Sequence, residues 1–225
     1  MKKVILFSVF ILFCFFKFYS ESLIDKFNIP GIRAEINKIA YNEDSQKIIA
    51  NSEAADLVLD FSDNIKCVVN VQTENSKLES VCDINKNMLE GIYQFNLDIS
   101  VPCLLVCYYV EGATGLSANI MKGLLIKFYD EKIYLIQLST FGAVYKNFID
   151  INNDNVFEFI CIDLFYNTKI DYERLFIVNY FSLSDEIKNI SDKNKLKIIN
   201  FYDGEIVIKK QNEIDYRLLS KPSIF

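Results

Sequence analysis

The chain has no histidine and no tryptophan among its 225 residues. Without an imidazole there is no Ser-His-Asp or Cys-His catalysis, no His-ligated zinc or iron, and no histidine pH switch. Its six cysteines include no C-x-x-C pair, which excludes a zinc ribbon and a thioredoxin-type redox motif. Gly112-Ala113-Thr114-Gly115 is too short for a phosphate loop, and no Gly-Lys-Ser/Thr follows it. Basic residues number 24 against 30 acidic ones. That balance speaks against a nucleic-acid binder that tracks phosphates, and against adhesion to anionic membranes by bulk charge. Ile, Asn, Lys, Phe and Tyr are abundant beside these absences, a bias of AT-rich coding. The chemical exclusions hold whatever the origin of the bias.

What is present begins with an export signal. Lys2 and Lys3 form a basic start, and residues 4–16 are apolar or small with only Ser8 polar. A run of about 13 residues is too short for a bilayer, which needs roughly 20, and suits the apolar region of a signal peptide. Ser20 and Ser22 satisfy a small-x-small cleavage rule, which predicts removal of residues 1–22. Two alternatives are an uncleaved anchor and lipidation at Cys14, the latter opposed by Leu12 and Phe13 just before it. The expected location is therefore periplasmic, outer-surface or secreted. Residues 23–225 carry 21 basic and 29 acidic side chains, a net charge of −8. About 200 residues can bury a good core, so the expectation is a single β-rich domain over 23–225, with 112–117 as the place for a subdivision. No membrane insertion of the mature chain is expected.

The apolar pattern is that of strands. Tyr93, Phe95, Leu97 and Ile99 alternate with Gln94, Asn96, Asp98 and Ser100, the period of two of a half-buried strand. Noisier strands are predicted at 55–61, 103–111, 118–129, 132–138, 156–166, 174–183, 195–201, 205–209 and 212–219. Turn signals at 111–115, 130–131 and 203–204 separate several of them. Only residues 32–41 look helical, with Ile32, Ile36, Ile39 and Ala40 on one face. Residues 185–195 read as a polar loop, and Asn189-Ile190-Ser191 as a sequon that matters only in a eukaryotic secretory pathway. Residues 128–133 and 201–206 echo one another at an offset of 73, each a strand-turn-strand unit. The fold class expected is mainly β, with antiparallel sheets in a sandwich or partial propeller.

One hairpin can be registered from sequence. Residues 64–72 and 77–84 flank Thr73-Glu74-Asn75-Ser76; centring the turn on Glu74-Asn75 places Cys67 opposite Cys82, Val69 opposite Ser80 and Val71 opposite Leu78. Opposed residues at a non-hydrogen-bonded pair approach within about 4.5 Å at Cα, the short end of the disulfide range. An exported chain would meet the oxidant, so a Cys67–Cys82 bridge is expected, the alternative being two small buried thiols. Cys103 and Cys107 share a strand face about 13 Å apart and cannot bond each other. Nothing in the sequence chooses a partner for Cys161.

Residues 150–158 carry the clearest chemical pattern. Side-chain oxygens fall at Asp150, Asn152, Asp154 and Glu158, loop positions 1, 3, 5 and 9, a spacing that lets a tight turn aim hard oxygens at one calcium ion. An EF-hand is a poor match, because position 12 is Cys161 and the flanks have strand composition. The loop resembles the D-x-[DN]-x-D-G-x-x-[DE] loops of FG-GAP and VCBS-type repeats, as in integrin α-chain propellers, with Phe141-Gly142-Ala143 loosely resembling their upstream aromatic-glycine element. Asn155 stands where those loops have Gly, and the likeness spans about 30 residues and one loop. It implies calcium held by the side chains of Asp150, Asn152, Asp154 and Glu158 and by the backbone carbonyl of Val156. The competing reading is an Asn/Asp turn whose side chains bond their own backbone.

The sequence thus reads as an exported β-rich binding or structural module with one structural calcium loop and a protein or carbohydrate ligand, not a nucleic-acid binder. The alternative is a secreted hydrolase using a carboxylate pair on a carbohydrate-type substrate, which the absence of histidine does not forbid.

Overall fold

A computed structural model describes residues 29, 31–63, 66–113, 118–166, 174–183, 188–190 and 198–200. The predicted signal peptide, the strands at 205–209 and 212–219 and the second copy of the echo lie outside these residues. The described chain is mainly β, with no helix of seven residues or more and three antiparallel sheets that do not close into a barrel. None of the described helices is long and apolar enough to cross a membrane. The chain divides into two compact units, residues 1–157 and 158–225, and the 112–117 segment falls inside the first.

The first unit holds β1 (Ile32–Arg33), β2 (Asn37–Lys38), β3 (Tyr41–Glu43), β4 (Lys47–Asn51), β5 (Asp56–Asp60), β6 (Cys67–Gln72), β7 (Lys77–Cys82), β8 (Leu89–Asn96), β9 (Pro102–Tyr109), β10 (Ile120–Tyr129), β11 (Lys132–Phe141) and β12 (Phe148–Asp150). One sheet is the meander β3-β4-β5-β6-β7; a second runs β11-β10-β9-β8-β2. The β6–β7 hairpin has the predicted register, with Cys67 opposite Cys82, Val69 opposite Ser80 and Val71 opposite Leu78. Its turn is closed by Thr73, whose N–H donates to the Ser76 carbonyl (2.8 Å) and whose hydroxyl accepts the Ser76 N–H (2.9 Å). The β10–β11 turn falls at Asp130-Glu131, where both residues have positive φ (51° and 57°), the geometry that matches the twist of a two-residue hairpin.

Two faces of the second sheet are buried. On one, Ile92, Leu104, Val106, Leu124 and Ile126 form a single core with Ile48, Leu57, Leu59, Val69 and Val71 of the first sheet. The two sheets thus form a sandwich with alternate side chains interleaved between them. The other face is covered by the chain that follows β11. Val144 packs against Gly123, Tyr145 stacks on Tyr93 (centroids 4.6 Å, 15°) and Phe148 meets Phe95 (4.6 Å, 51°). Burying Phe148, 1% exposed, contributes about 1.5–3 kcal/mol, and each ring pair about 0.5–1.5 kcal/mol more.

The helix expected over 32–41 is not formed. Residues 32–33, 37–38 and 41–43 are three short strands pairing with β12, β8 and β4 respectively. Ile32, placed on the expected apolar face, is 58% exposed. Available sheet edges satisfy this segment's amides, and tertiary pairing overrides a weak helical pattern. Gly31, at φ 135°, precedes it, and a Cβ there would run into the Asp150 carbonyl oxygen.

In the second unit, β13 (Glu158–Tyr166) pairs antiparallel with β14 (Arg174–Ser182), Ile160 opposite Tyr180. The far edge of β14 takes β15 (Lys188–Asn189) at one end and β16 (Ile198–Asn200) at the other.

Gly123 supplies a test of the covering segment. A Cβ there would sit 2.8 Å from Val144 Cγ1 and 3.1 Å from Leu105 Cδ1. Gly123→Ala is expected to lower stability by about 1–3 kcal/mol, through overpacking. In a Val144→Ala background the added cost should shrink, since the obstructing methyl is gone. Urea midpoints of the four proteins measure both effects, and an equal cost in both backgrounds would refute the packing described.

Candidate functional site

Asp150 ends β12 and is 2% exposed. Its carboxylate accepts two backbone amides, Asp154 N–H at 3.2 Å and Asn155 N–H at 2.9 Å. Asn152 Oδ1 accepts the Asp154 N–H (3.1 Å), Asn152 Nδ2 donates to Asp154 Oδ2 (2.9 Å), and Asp154 Oδ1 accepts the Val156 N–H (2.9 Å). Asn153 and Asn155 take the left-handed conformation (φ 60° and 66°), so Asn155 meets the demand that Gly meets in the resembling loops. Asp150, Asn152 and Asp154 are therefore brought together, each satisfying the loop's own backbone. Glu158 is buried and opens β13 in the second unit. Among the described residues, no group of three or more Cys, Asp or Glu side chains gathers as a metal cluster. Gly142 (φ 92°) donates its N–H to the Asn119 carbonyl (2.8 Å) at the end of β11.

The expected Cys67–Cys82 bridge is not made in the structure. The two residues are opposed as predicted, but none of the five described cysteines is in a disulfide. Cys67 is fully buried and Cys82 is 6% exposed, both inside the sandwich core. Burial pushes the Cys67 thiol up to about 12, with the nearby Cys82 adding to it, and burial raises Cys82 as well. Raised in this way, both side chains favour the neutral thiol within the fold. Cys103 is likewise pushed up to about 12 by burial.

The second unit holds a small polar group that the sequence did not announce. Cys161 Sγ donates to Asp163 Oδ1 (3.3 Å), and Asn179 Nδ2, opposite Cys161 across the strands, donates to Asp163 Oδ2 (3.0 Å). Burial raises the Asp163 carboxyl above its ordinary range, and the two hydrogen bonds only partly offset this. Burial and the Asp163 charge hold the Cys161 thiol well above its usual value, which disfavours the thiolate. The available signal was Asp163, a charged position between Ile162 and Leu164 in the sequence of β13.

The first unit has an open cleft of about 590 Å³. Glu35, Asn37, Glu53, Gln94 and Asn96 line it beside Phe95 and Phe157, and of the five polar residues all but the half-buried Gln94 are solvent-exposed. Asn37 is paired with Gln94 across β2 and β8, and Asn96 with Pro102 across β8 and β9. Glu53 rides on a turn fixed by the Ser52 hydroxyl, which accepts the N–H groups of Ala54 (3.2 Å) and Ala55 (3.1 Å). Phe157 is anchored by its N–H to the Leu97 carbonyl (2.9 Å). Among the described residues, the side chains of Glu35, Asn37, Glu53, Gln94 and Asn96 have no hydrogen-bond or ion-pair partner. The lining comes from positions 35 to 157, and no local spacing could have assembled it.

Asp163 generates a pH prediction. A carboxyl whose folded pKa is raised binds its proton more tightly in the folded chain. Its contribution is greatest below the ordinary value of about 3.9 and is lost as pH rises through the raised folded value. Wild type should therefore lose stability relative to Asp163→Asn as pH rises from acid toward neutral, levelling off beyond that value. Urea midpoints across this range give the difference curve; a flat curve would contradict the raised pKa.

Comparison with protein-family models, with curated proteins and with solved structures finds no match to this chain, so its function is argued from its own residues.

Proposed function

We propose that the chain is an exported β-sandwich binding module that takes its ligand in the Glu35–Glu53 cleft and carries a structural calcium ion in the 150–158 loop. Export rests on the amino-terminal pattern of Lys2, Lys3 and the apolar run over 4–16. The observation that carries the binding role is the cleft: five polar side chains around one concavity, none engaged by the described protein. Its size is that of small-ligand sites, which combine apolar walls with a few convergent polar groups.

The hydrolase reading has one observation in its favour, since Glu35 and Glu53 share a cleft with Phe95 and Phe157. Binding is the better account because neither carboxylate is held by a hydrogen bond among the described residues. Catalytic carboxyls need fixed positions about a reacting bond, and neighbouring groups normally lock them there.

For calcium, the donor chemistry fits: Asp150, Asn152 and Asp154 offer hard oxygens from one short loop, and Val156 and Glu158 complete the set that the FG-GAP and VCBS likeness implies. Bound calcium would neutralise the loop charge and tie its ends. The hydrogen bonds of Asp150 to Asp154 and Asn155 already preform the turn. Adding calcium is expected to raise the thermal midpoint, by an amount equivalent to about 2.7 kcal/mol once the ion is a hundredfold above its Kd. Asp150→Ala should abolish that rise and also cost stability through the lost amide bonds. Matching melting curves in calcium and in chelator would leave a plain Asx turn and remove the ion.

A further inference from the structure

We propose that Cys67 and Cys82 close a disulfide that braces the β6–β7 hairpin, the two free thiols described above being its reduced form. The first ground is geometry. The two residues are directly opposed, and both side chains lie in the core between the sheets, so they leave the ladder on one face. The turn fixes which kind of pair they are. The Thr73 N–H donates to the Ser76 carbonyl, which makes 73–76 a hydrogen-bonded pair. Such pairs recur at every second step of an antiparallel ladder, here at 71–78, 69–80 and 67–82. Their Cα atoms stand about 5.5 Å apart, in the commonest range for disulfides. That spacing is wider than the non-hydrogen-bonded one expected from sequence, and it suits a bridge better.

The second ground is selectivity. Cys103 stands opposite Phe95 and Lys127, Cys107 opposite Gly91 and Gly123, and Cys161 opposite Asn179. Cys103 and Cys107 sit four residues apart on one strand, beyond disulfide reach. Among the five described cysteines, only Cys67 and Cys82 face each other across a ladder.

The third ground is access. Cys82 ends β7, which among the described residues is paired on one side only. Lys77, Glu79 and Val81 are exposed along it, and Leu78 and Ser80 are half-buried, so little packing holds this strand down. Fraying of its end, or folding from the open chain, puts Cys82 in water, where its thiol regains ordinary acidity. The Cys82 thiolate, its proton passed to water, attacks one sulfur of a small or protein-borne disulfide and expels the other as a thiolate. The Cys67 thiolate then attacks Cys82 Sγ as the strands pair, and expels the second sulfur of the donor. The Sγ–Sγ bond forms, the donor's S–S bond breaks, and two electrons pass to the donor, which leaves as two thiols. In the cell that donor belongs to an oxidising compartment, so occurrence of the bridge there rests on the export reading.

Refolding the chain in a glutathione redox buffer, then alkylating its free thiols in denaturant without reductant, tests this. Trypsin cuts after Lys66, Lys77 and Lys86, so the bridge must join peptides 67–77 and 78–86. The expected result is that linked pair, lost on reduction, with Cys103, Cys107 and Cys161 recovered alkylated. Closing this ring should shift the folding equilibrium roughly a hundredfold toward the fold, read as a higher urea midpoint than in reductant. Cys82→Ala should abolish the difference between oxidised and reduced protein, and Cys161→Ala, outside the hairpin, should keep it. Should Cys82→Ala fail to fold, the peptide map of the unaltered chain decides alone. Both peptides recovered alkylated, a lasting glutathione adduct on either cysteine, or a bridge to another cysteine would overturn the pairing. A linked pair with equal midpoints would overturn the brace. The assay supplies the oxidant, so these failures strike the bridge and not export, which cell fractionation tests separately.

Discussion

Everything in the first unit depends on one constraint: the sheet β11-β10-β9-β8-β2 has two apolar faces, and both must be covered. β9 shows this most directly, because every residue from Cys103 to Tyr108 is buried. Leu104, Val106 and Tyr108 turn toward the meander sheet, while Cys103, Leu105 and Cys107 turn toward the chain that follows β11. An antiparallel sheet with one solvated face would have alternated apolar and polar along this strand. The absence of alternation requires a third layer, and Val144, Tyr145 and Phe148 supply it. Gly123 exists in that account because the layer comes too close for a Cβ.

The same requirement explains where polarity can appear. Along β8 the apolar positions Ile92, Tyr93 and Phe95 are buried, whereas Gln94 is half-buried and Asn96 is exposed. Near that end of β8, residues from β2, the β4–β5 turn and the start of β9 surround a concavity. The cleft therefore forms where packing ends and the strand's polar alternate positions emerge. Its walls stay apolar because Phe95 continues the buried face, meeting Phe148 behind it.

Local features were legible in the sequence, and long-range ones were not. The β6–β7 register followed from an alternating apolar set and a four-residue turn, and both are found at Cys67–Cys82 and Thr73–Ser76. The left-handed Asn155 was also readable, since Asn is one of few residues that accept it. Residues 32–41 misled because Ile32, Ile36, Ile39 and Ala40 match a helical period, and no local signal reveals three waiting sheet edges. The β3–β4 hairpin went unread, although Asp44 organises it by accepting the Gln46 (2.7 Å) and Lys47 (2.6 Å) N–H groups. The facing of Cys67 and Cys82 was legible too, because period-two alternation about a known turn fixes which residues oppose one another.

Acidity itself divides by partner. Asp44 is held below the usual carboxylate range by the backbone amides of Gln46 and Lys47, and Asp60 by the hydroxyl and amide of Ser62. Asp150 and Asp154 likewise spend their oxygens on loop amides, which is why the 150–158 pattern alone cannot separate an ion site from a capped turn. Glu79 has no partner among the described residues, but it projects from the edge strand β7 into open solvent. Glu35 and Glu53 share its lack of a partner and differ in sharing a cavity with three equally unengaged carboxamides. Net charge alone assigns nothing, because Asp44, Asp60, Asp98, Asp150 and Asp154 all serve turns and loops.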